Sequence, residues 1–198
     1  MESFELFLRS TEVVDWAHPA VLAKSKELSA GAANPVEIAR RCFEWVRDRI
    51  QHSSDFQRNP VTCSASEVLR EGTGYCYAKS HLLAAFLRAN DIPAGFCYQR
   101  FSIDDKGAPF SLHGLNAVYL PEFGWYRVDA RGNRAGVDAH FLPPVERLAF
   151  RLTFPEERLF SEILPDPLPV VVNALHLHST WDAMLANLPD WDHPSLEL

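Results

Sequence analysis

The chain has 198 residues, of which 47% are hydrophobic and 23% charged, a composition typical of a compact globular protein rather than a disordered one. It carries 26 acidic residues against 19 Lys and Arg, a formal net charge of −7, so phosphate backbones gain no general attraction and nucleic acid is not the expected partner. The most apolar run, residues 168–177, is much shorter than the roughly 20 residues that span a bilayer, which excludes it as a membrane anchor.

Residues 1–9 lack the basic start and the long apolar stretch of a signal peptide. We therefore expect a cytoplasmic location and no association with membranes. No repeat, low-complexity tract or flexible linker divides the sequence, so we expect one domain over residues 1–198. The cysteines show no CxxC spacing, which argues against structural zinc, and a reducing compartment argues against disulfides. They are Cys42, Cys63, Cys76 and Cys97.

The clearest helix signal begins at residues 34–37, which offer an asparagine N-cap, a proline at the first helical position and an acid three residues after the cap. Apolar side chains then recur at helical spacing. This pattern predicts a helix from about residue 35 to 50. Cys42 falls on its apolar stripe and is interpreted as a small core residue.

A second helix is predicted after the capping-box pair Ser64 and Glu67, and Gly72 is expected to end it. The segment that follows, residues 76–90, has apolar side chains at too many positions for a surface helix. We therefore predict a helix that is buried on most sides. Pro93 prevents the helix from continuing beyond this point.

From residue 94 onward the pattern changes to that of β-structure, with aromatic residues and half-buried alternation. The expected strands span residues 96–101, 114–120 and 125–130. Helices come first and an antiparallel sheet second, without βαβ alternation, so the sequence predicts an α+β fold.

The carboxy-terminal extension, residues 143–198, shows no pattern that names a function, apart from a predicted short helix after residue 179 or 180 that ends before residue 189. His176 and His178 would share a face on a strand and, with Asp182, could bind a metal. Because no further ligands accompany them, structural or surface roles are the alternative. We expect neither a metal nor a cofactor.

Cys76 stands at the start of the predicted buried helix, where free backbone N–H groups and the positive end of the helix dipole stabilise a thiolate. Gly72 and Gly74 leave room beside it for a substrate. The N–H of Cys76 is free to donate to an oxyanion. These local features fit a nucleophile, and they also fit a buried structural cysteine.

A histidine and an acid in the predicted sheet favour the nucleophile. His113 is expected to open one strand and Asp129 nearly to end the next. A five-residue loop would pair Tyr119 with Trp125 and bring His113 diagonally next to Asp129 on one face. A four-residue loop would shift the pairing by one residue and send the two side chains to opposite faces.

Together these residues resemble the transglutaminase-like superfamily, whose core has Gly-x-Cys at the start of a buried helix, followed by His and Asp on adjacent strands. The likeness covers roughly residues 36 to 134. The matching stretches are Gly74–Cys76, Leu87–Ala94, His113–Tyr119 and Gly124–Asp129, together with a helix around 43–50. Two positions depart from the family pattern. Leu115 replaces a tryptophan and is expected to alter the wall beside the imidazole, and Asp91 replaces a glycine before Ile-Pro.

The resemblance implies a papain-like arrangement in which a buried helix carries the cysteine and packs on an antiparallel sheet. It also implies a Cys-His-Asp triad formed by Cys76, His113 and Asp129. The expected reaction is acyl transfer on a peptide, a protein or a small amide, most simply hydrolysis. Cross-linking to an amine and a non-catalytic peptide-binding module are the alternatives. Arg131 either binds a carboxylate or is solvated, and the sequence indicates neither a second oxyanion donor nor an oligomeric state.

Overall fold

The structure is a computed structural model that describes residues 4–104 and 106–196. Residues 1–3 of the amino-terminal segment interpreted above lie outside this description. The helices are a 3-10 helix Phe4–Phe7, α1 Pro19–Ser29, α2 Pro35–Arg49, α3 Ser53–Phe56, α4 Ala65–Glu71, α5 Cys76–Arg88, α6 Pro169–Leu177 and α7 Trp181–Leu185. The strands are β1 Gln51–His52, β2 Thr73–Gly74, β3 Ala94–Ser102, β4 Phe110–Leu120, β5 Gly124–Val128, β6 His140–Leu142, β7 Val145–Arg147 and β8 Arg158–Leu159.

The main sheet has the antiparallel order β5-β4-β3-β8 and follows the amino-terminal helices, so the predicted α+β fold is confirmed. Tyr119 pairs with Trp125, which is the register of the five-residue loop. The strand bounds differ from the prediction for all three strands, and strand β3 is longer than predicted at both ends. Strand β4 begins at Phe110, so that His113 lies inside the strand rather than opening it, and Asp129 follows β5.

The predicted helix caps are confirmed. The Asn34 side chain accepts a hydrogen bond from the Glu37 N–H at 2.9 Å, and Cys42 on the inner stripe of α2 is fully buried. Ser64 and Glu67 form the capping box of α4. These features are local in sequence, and for that reason their patterns predicted them correctly.

All thirteen residues of α5 are buried, as its dense apolar pattern predicted. The helix packs against α2, α4 and β4. Asn116 of β4 ties the helix to the sheet, because its side-chain amide donates to the carbonyl of Ser80 at 3.1 Å and to that of Gly95 at 3.2 Å. Just beyond the helix, Asp91 adopts a left-handed conformation with φ 57°, a conformation that favours the glycine which the resemblance implies at this position.

The carboxy-terminal extension contains two short helices, α6 and α7, and the second is the helix predicted after residue 180. His176 lies within helix α6 rather than on a strand, so the shared strand face with His178 does not form. Across residues 4–104 and 106–196, no His, Cys, Asp or Glu side chains gather in a group of three that could hold a metal ion. No helix within these ranges is long and apolar enough to cross a membrane.

Candidate active site

Cys76 is the first residue of helix α5, and 8% of its surface is exposed. The N-cap residue, Tyr75, makes no side-chain capping bond. Instead, the backbone N–H of Cys76 donates to Nε2 of His52 at 3.2 Å. A helix leaves its first N–H groups without intrahelical partners, and this ring nitrogen satisfies one of them.

The side chains of His113 and Asp129 are joined by a hydrogen bond of 2.7 Å between Nε2 and Oδ2. Both side chains are almost completely buried. Asp129 also accepts from the backbone N–H groups of Ala149 at 3.0 Å and Arg131 at 3.2 Å, so that the carboxylate is fixed from three sides. The predicted neighbourhood of His113 and Asp129 is therefore confirmed, although their chemical roles are a separate question.

Electrostatics favour a charged imidazole at His113. Burial lowers the pKa of this ring, but the charges of Asp129 and of a Cys76 thiolate, with the hydrogen bond to Asp129, outweigh burial and raise the pKa to about 10. Burial raises the pKa of Asp129, yet the charge and hydrogen bond of His113 lower it overall. The protonated ring can thus stand between a sulfur and a carboxylate.

Gly114 brings the cysteine helix close to the strand that carries His113. A Cβ atom at this position would lie 2.9 Å from Cδ1 and 3.2 Å from Cα of Tyr77, the residue after Cys76. The absence of a side chain therefore sets the distance between the start of α5 and β4.

Arg131 is paired rather than solvated, so the second of the two interpretations is wrong. Its guanidinium makes two hydrogen bonds to the carboxylate of Asp55, at 2.6 and 2.9 Å, and only 6% of the residue is exposed. The bidentate pair links the turn after Asp129 to the segment that follows His52.

Sequence reasoning missed His52, which lines the site, and Lys79, which supports the segment that carries His52. His52 belongs to β1, which pairs with β2 so that His52 lies opposite Gly74, two residues before Cys76. The ammonium of Lys79 is buried on α5 and donates to the carbonyls of Arg47 and Ile50, which anchors the chain just before β1. Two-residue strands leave no periodic pattern, so no signal in the sequence marked this pairing.

Cys76 and His113 line a cleft of roughly 200 Å³. Phe101 and Phe150 form an aromatic wall whose rings stack at 4.6 Å, and both rings meet His113 edge-on. Leu115 does not belong to this wall, contrary to expectation, because it packs with Cys97 and Ala117 in a separate cluster. The residues around the cleft are His52, Ser54, Asp55, Tyr75, Cys76, Tyr77, Phe101, Ser102, Ile103, Ser111, Leu112, His113, Arg131, Arg134, Phe150, Leu185 and Leu188.

The carboxy-terminal extension supplies part of the cleft, through Leu185 of α7 and Leu188 beyond it. The segment is held in place by hydrogen bonds, including one from the Tyr75 hydroxyl to the carbonyl of Trp181 and one of 2.8 Å from the Leu112 N–H to the carbonyl of Pro189. The extension whose sequence named no function therefore shapes the space in front of Cys76.

Comparison with solved structures shows a shared fold. A candidate cysteine protease from Cytophaga hutchinsonii matches with 20% identity and a TM-score of 0.52, covering 63% of this chain and 40% of that one. The periplasmic domain of TgpA from Pseudomonas aeruginosa matches with 20% identity and a TM-score of 0.46, covering 63% and 45% of the two chains. This chain thus spans less than half the length of either structure. No curated protein matches it.

The sequence model of the transglutaminase-like superfamily matches residues 23–130. This segment is more than half of the chain and includes Cys76, His113 and Asp129. Together with the α+β fold, the match shows that the chain belongs to the transglutaminase-like superfamily.

Proposed function

We propose that this protein is a cysteine hydrolase of amide or peptide bonds, in which Cys76 is the nucleophile, His113 the acid and base, and Asp129 the group that orients the imidazole. The observation that carries the proposal is the 2.7 Å hydrogen bond between His113 and Asp129 at the wall of the cleft that Cys76 also lines. A peptide, a protein or a small amide is the substrate class.

The reaction has two steps. In the resting pair the Cys76 proton already lies on His113, the thiolate sulfur attacks the carbonyl carbon, and the C–N bond breaks as His113 protonates the departing amine. The resulting thioester is attacked by a water molecule that gives its proton to His113. The C–S bond breaks, the carboxylic acid leaves, and the Cys76 thiolate again pairs with the protonated ring. The raised pKa of His113, about 10, supports a ring that carries its proton before the first step.

Asp129 keeps the imidazole in a useful orientation, because it accepts from Nε2 and leaves Nδ1 for the sulfur side. We take water rather than an amine as the second nucleophile because the solved structure that shares this fold at a TM-score of 0.52 is described as a candidate cysteine protease.

Mass spectrometry with a peptide library in ¹⁸O-labelled water tests this proposal. We expect one ¹⁸O atom in each new carboxylate, and little amide adduct when a primary amine is added as a competing acceptor. Dominant amine adducts would identify a cross-linking enzyme instead. The absence of any product, in a protein whose Cys76 still reacts with alkylating probes, would favour a peptide-binding module.

Replacing Gly114 with alanine should lower turnover by about 100-fold, because the new methyl group pushes Tyr77 and the start of α5 away from His113. Steady-state kinetics on the folded variant checks this. Gly31→Ala is a matched control, since Gly31 has φ 68° and no atom within 4 Å of an added Cβ. It should lose stability through backbone strain while keeping its turnover. Equal turnover in both variants would contradict the role of the close approach.

A further inference from the structure

His52 is held against the start of α5 by more than one contact. Its strand residue pairs with Gly74, and its ring meets that of Tyr75 edge-on with centroids 5.4 Å apart. The hydroxyl of Thr73 reinforces the pairing by donating to the carbonyl of Gln51 at 2.9 Å. These contacts leave Nε2 of His52 3.2 Å from the backbone nitrogen of Cys76, in the lining of the cleft.

The protonation of His52 follows from this contact. Since Nε2 accepts the Cys76 N–H, the proton of the neutral ring lies on Nδ1, which is 3.1 Å from the Ser54 hydroxyl oxygen. Burial, followed by the charges of Arg131 and Lys79, holds the pKa of His52 well below its usual value. The ring therefore stays neutral at physiological pH and carries one proton that either nitrogen can hold.

We propose that His52 is the second oxyanion donor of the reaction. In the resting protein, Nε2 of His52 accepts a hydrogen bond from the N–H of Cys76. In the reacting complex, the ring adopts the other tautomer, and its Nε2–H and the Cys76 N–H both donate to the carbonyl oxygen of the substrate. This inference rests on the proposed function, because it assigns the donor that the acyl-transfer reaction needs in addition to the backbone of Cys76.

The geometry suits a shared oxygen. Oxyanion donors lie about 2.7–3.1 Å from the oxygen they stabilise, and two nitrogens 3.2 Å apart can both reach a single atom at that distance. In the new tautomer both groups are donors, so they no longer bond to each other and both can donate to a carbonyl oxygen placed beside them. A neutral imidazole can polarise a carbonyl in this way without adding a charge.

Ser54 makes both tautomers acceptable. A hydroxyl can accept a hydrogen bond from Nδ1–H or donate one to a bare Nδ1. In the exchange one proton leaves Nδ1 for solvent and one is taken up from solvent at Nε2, so the net charge of the ring does not change. A residue that served only as a helix cap would use one tautomer, with the proton on Nδ1, whereas the oxyanion role also uses the second tautomer that this hydroxyl can accommodate.

Two reactions at the same sulfur distinguish the two roles. Iodoacetamide alkylates Cys76 without forming an oxyanion, whereas p-nitrophenyl acetate acylates it through a tetrahedral oxyanion. In His52→Phe we expect the acylation rate constant to fall by about 10²- to 10³-fold and the alkylation rate constant to change by less than about threefold. His52→Gln supplies an amide donor and should recover most of the acylation. Both rate constants are measured by intact-protein mass spectrometry with peptide mapping of the modified site.

The outcomes separate the inference from the function on which it rests. Equal losses in both reactions, or unchanged acylation in His52→Phe, would reduce His52 to a helix cap and overturn the inference. Failure of the unmodified protein to become acylated at Cys76 would overturn the proposed function as well. If His52→Phe does not fold, Ser54→Ala tests the inference instead, because the loss of a small, half-buried hydroxyl should leave the fold intact. We expect it to slow acylation by about 3- to 10-fold and leave alkylation unchanged, and equal rates would overturn the inference.

Discussion

Replacing Cys76 with alanine should lower turnover by about 10⁵- to 10⁶-fold, to the level that binding groups alone provide. The reason is that the sulfur forms the covalent bond in both steps of the proposed reaction, and no neighbouring atom can take its place. Steady-state kinetics on the most rapidly cleaved library peptide measures the effect. Covalent labelling of the intact protein should disappear at this position in parallel.

Cys42→Ala is the matched control, because it removes a sulfur atom without touching the cleft. Cys42 is fully buried on α2, and burial raises the pKa of its thiol to about 12, so it contributes little thiolate at neutral pH. The variant should keep its turnover and its labelling at Cys76, with a modest loss of stability. Substantial turnover in Cys76→Ala would refute the nucleophile, even with this control fully active.

Replacing Asp129 with asparagine should lower turnover by about 10²- to 10⁴-fold with little change in the fold. Asparagine keeps an oxygen that can accept the N–H of Ala149, which Asp129 now binds at 3.0 Å. It loses the negative charge of Asp129, whose effect on the pKa of His113 is second in size only to the effect of burial. The imidazole therefore loses the stabilisation of its charged form.

The same variant makes a prediction about pH. The charge of Asp129 raises the pKa of His113, so removing this charge lets burial lower the pKa from about 10. Protonated His113 is then lost at lower pH, and the alkaline limb of the kcat/KM profile should move to lower pH. A profile from pH 5 to 10, with ¹⁵N NMR of the ring, measures the shift. An unmoved limb would mean that Asp129 does not set the protonation of His113.

Asp138→Asn controls for the loss of one negative charge. Asp138 lies on the surface, where its carboxylate binds His140 at 2.6 Å and Arg147 at 2.7 Å. Water screens such exposed pairs, so the substitution should alter stability little and leave the pH profile in place. A similar shift in both variants would point to net charge rather than to the contact between Asp129 and His113.

The sequence alone determined the features that depend on short stretches of chain. The caps of α2 and α4 and the burial of α5 follow from residues within a few positions of one another. The neighbourhood of His113 and Asp129 was also predictable, because one hairpin joins them and its loop length sets the register. A boundary such as the start of β4 at Phe110 was missed, since strand ends depend on the partners that neighbouring segments provide.

Only the tertiary structure decided what surrounds the sulfur. A parallel pair of two-residue strands places His52 beside Cys76. Arg131 binds Asp55, from which it is separated by 76 residues in the sequence, and the carboxy-terminal extension contributes Leu188 to the cleft. None of these contacts repeats along the chain, so no period or local motif records them. These contacts form because the burial of the core compensates for the entropy lost when long loops close. The free energy that stabilises them therefore comes from the whole fold rather than from nearby residues.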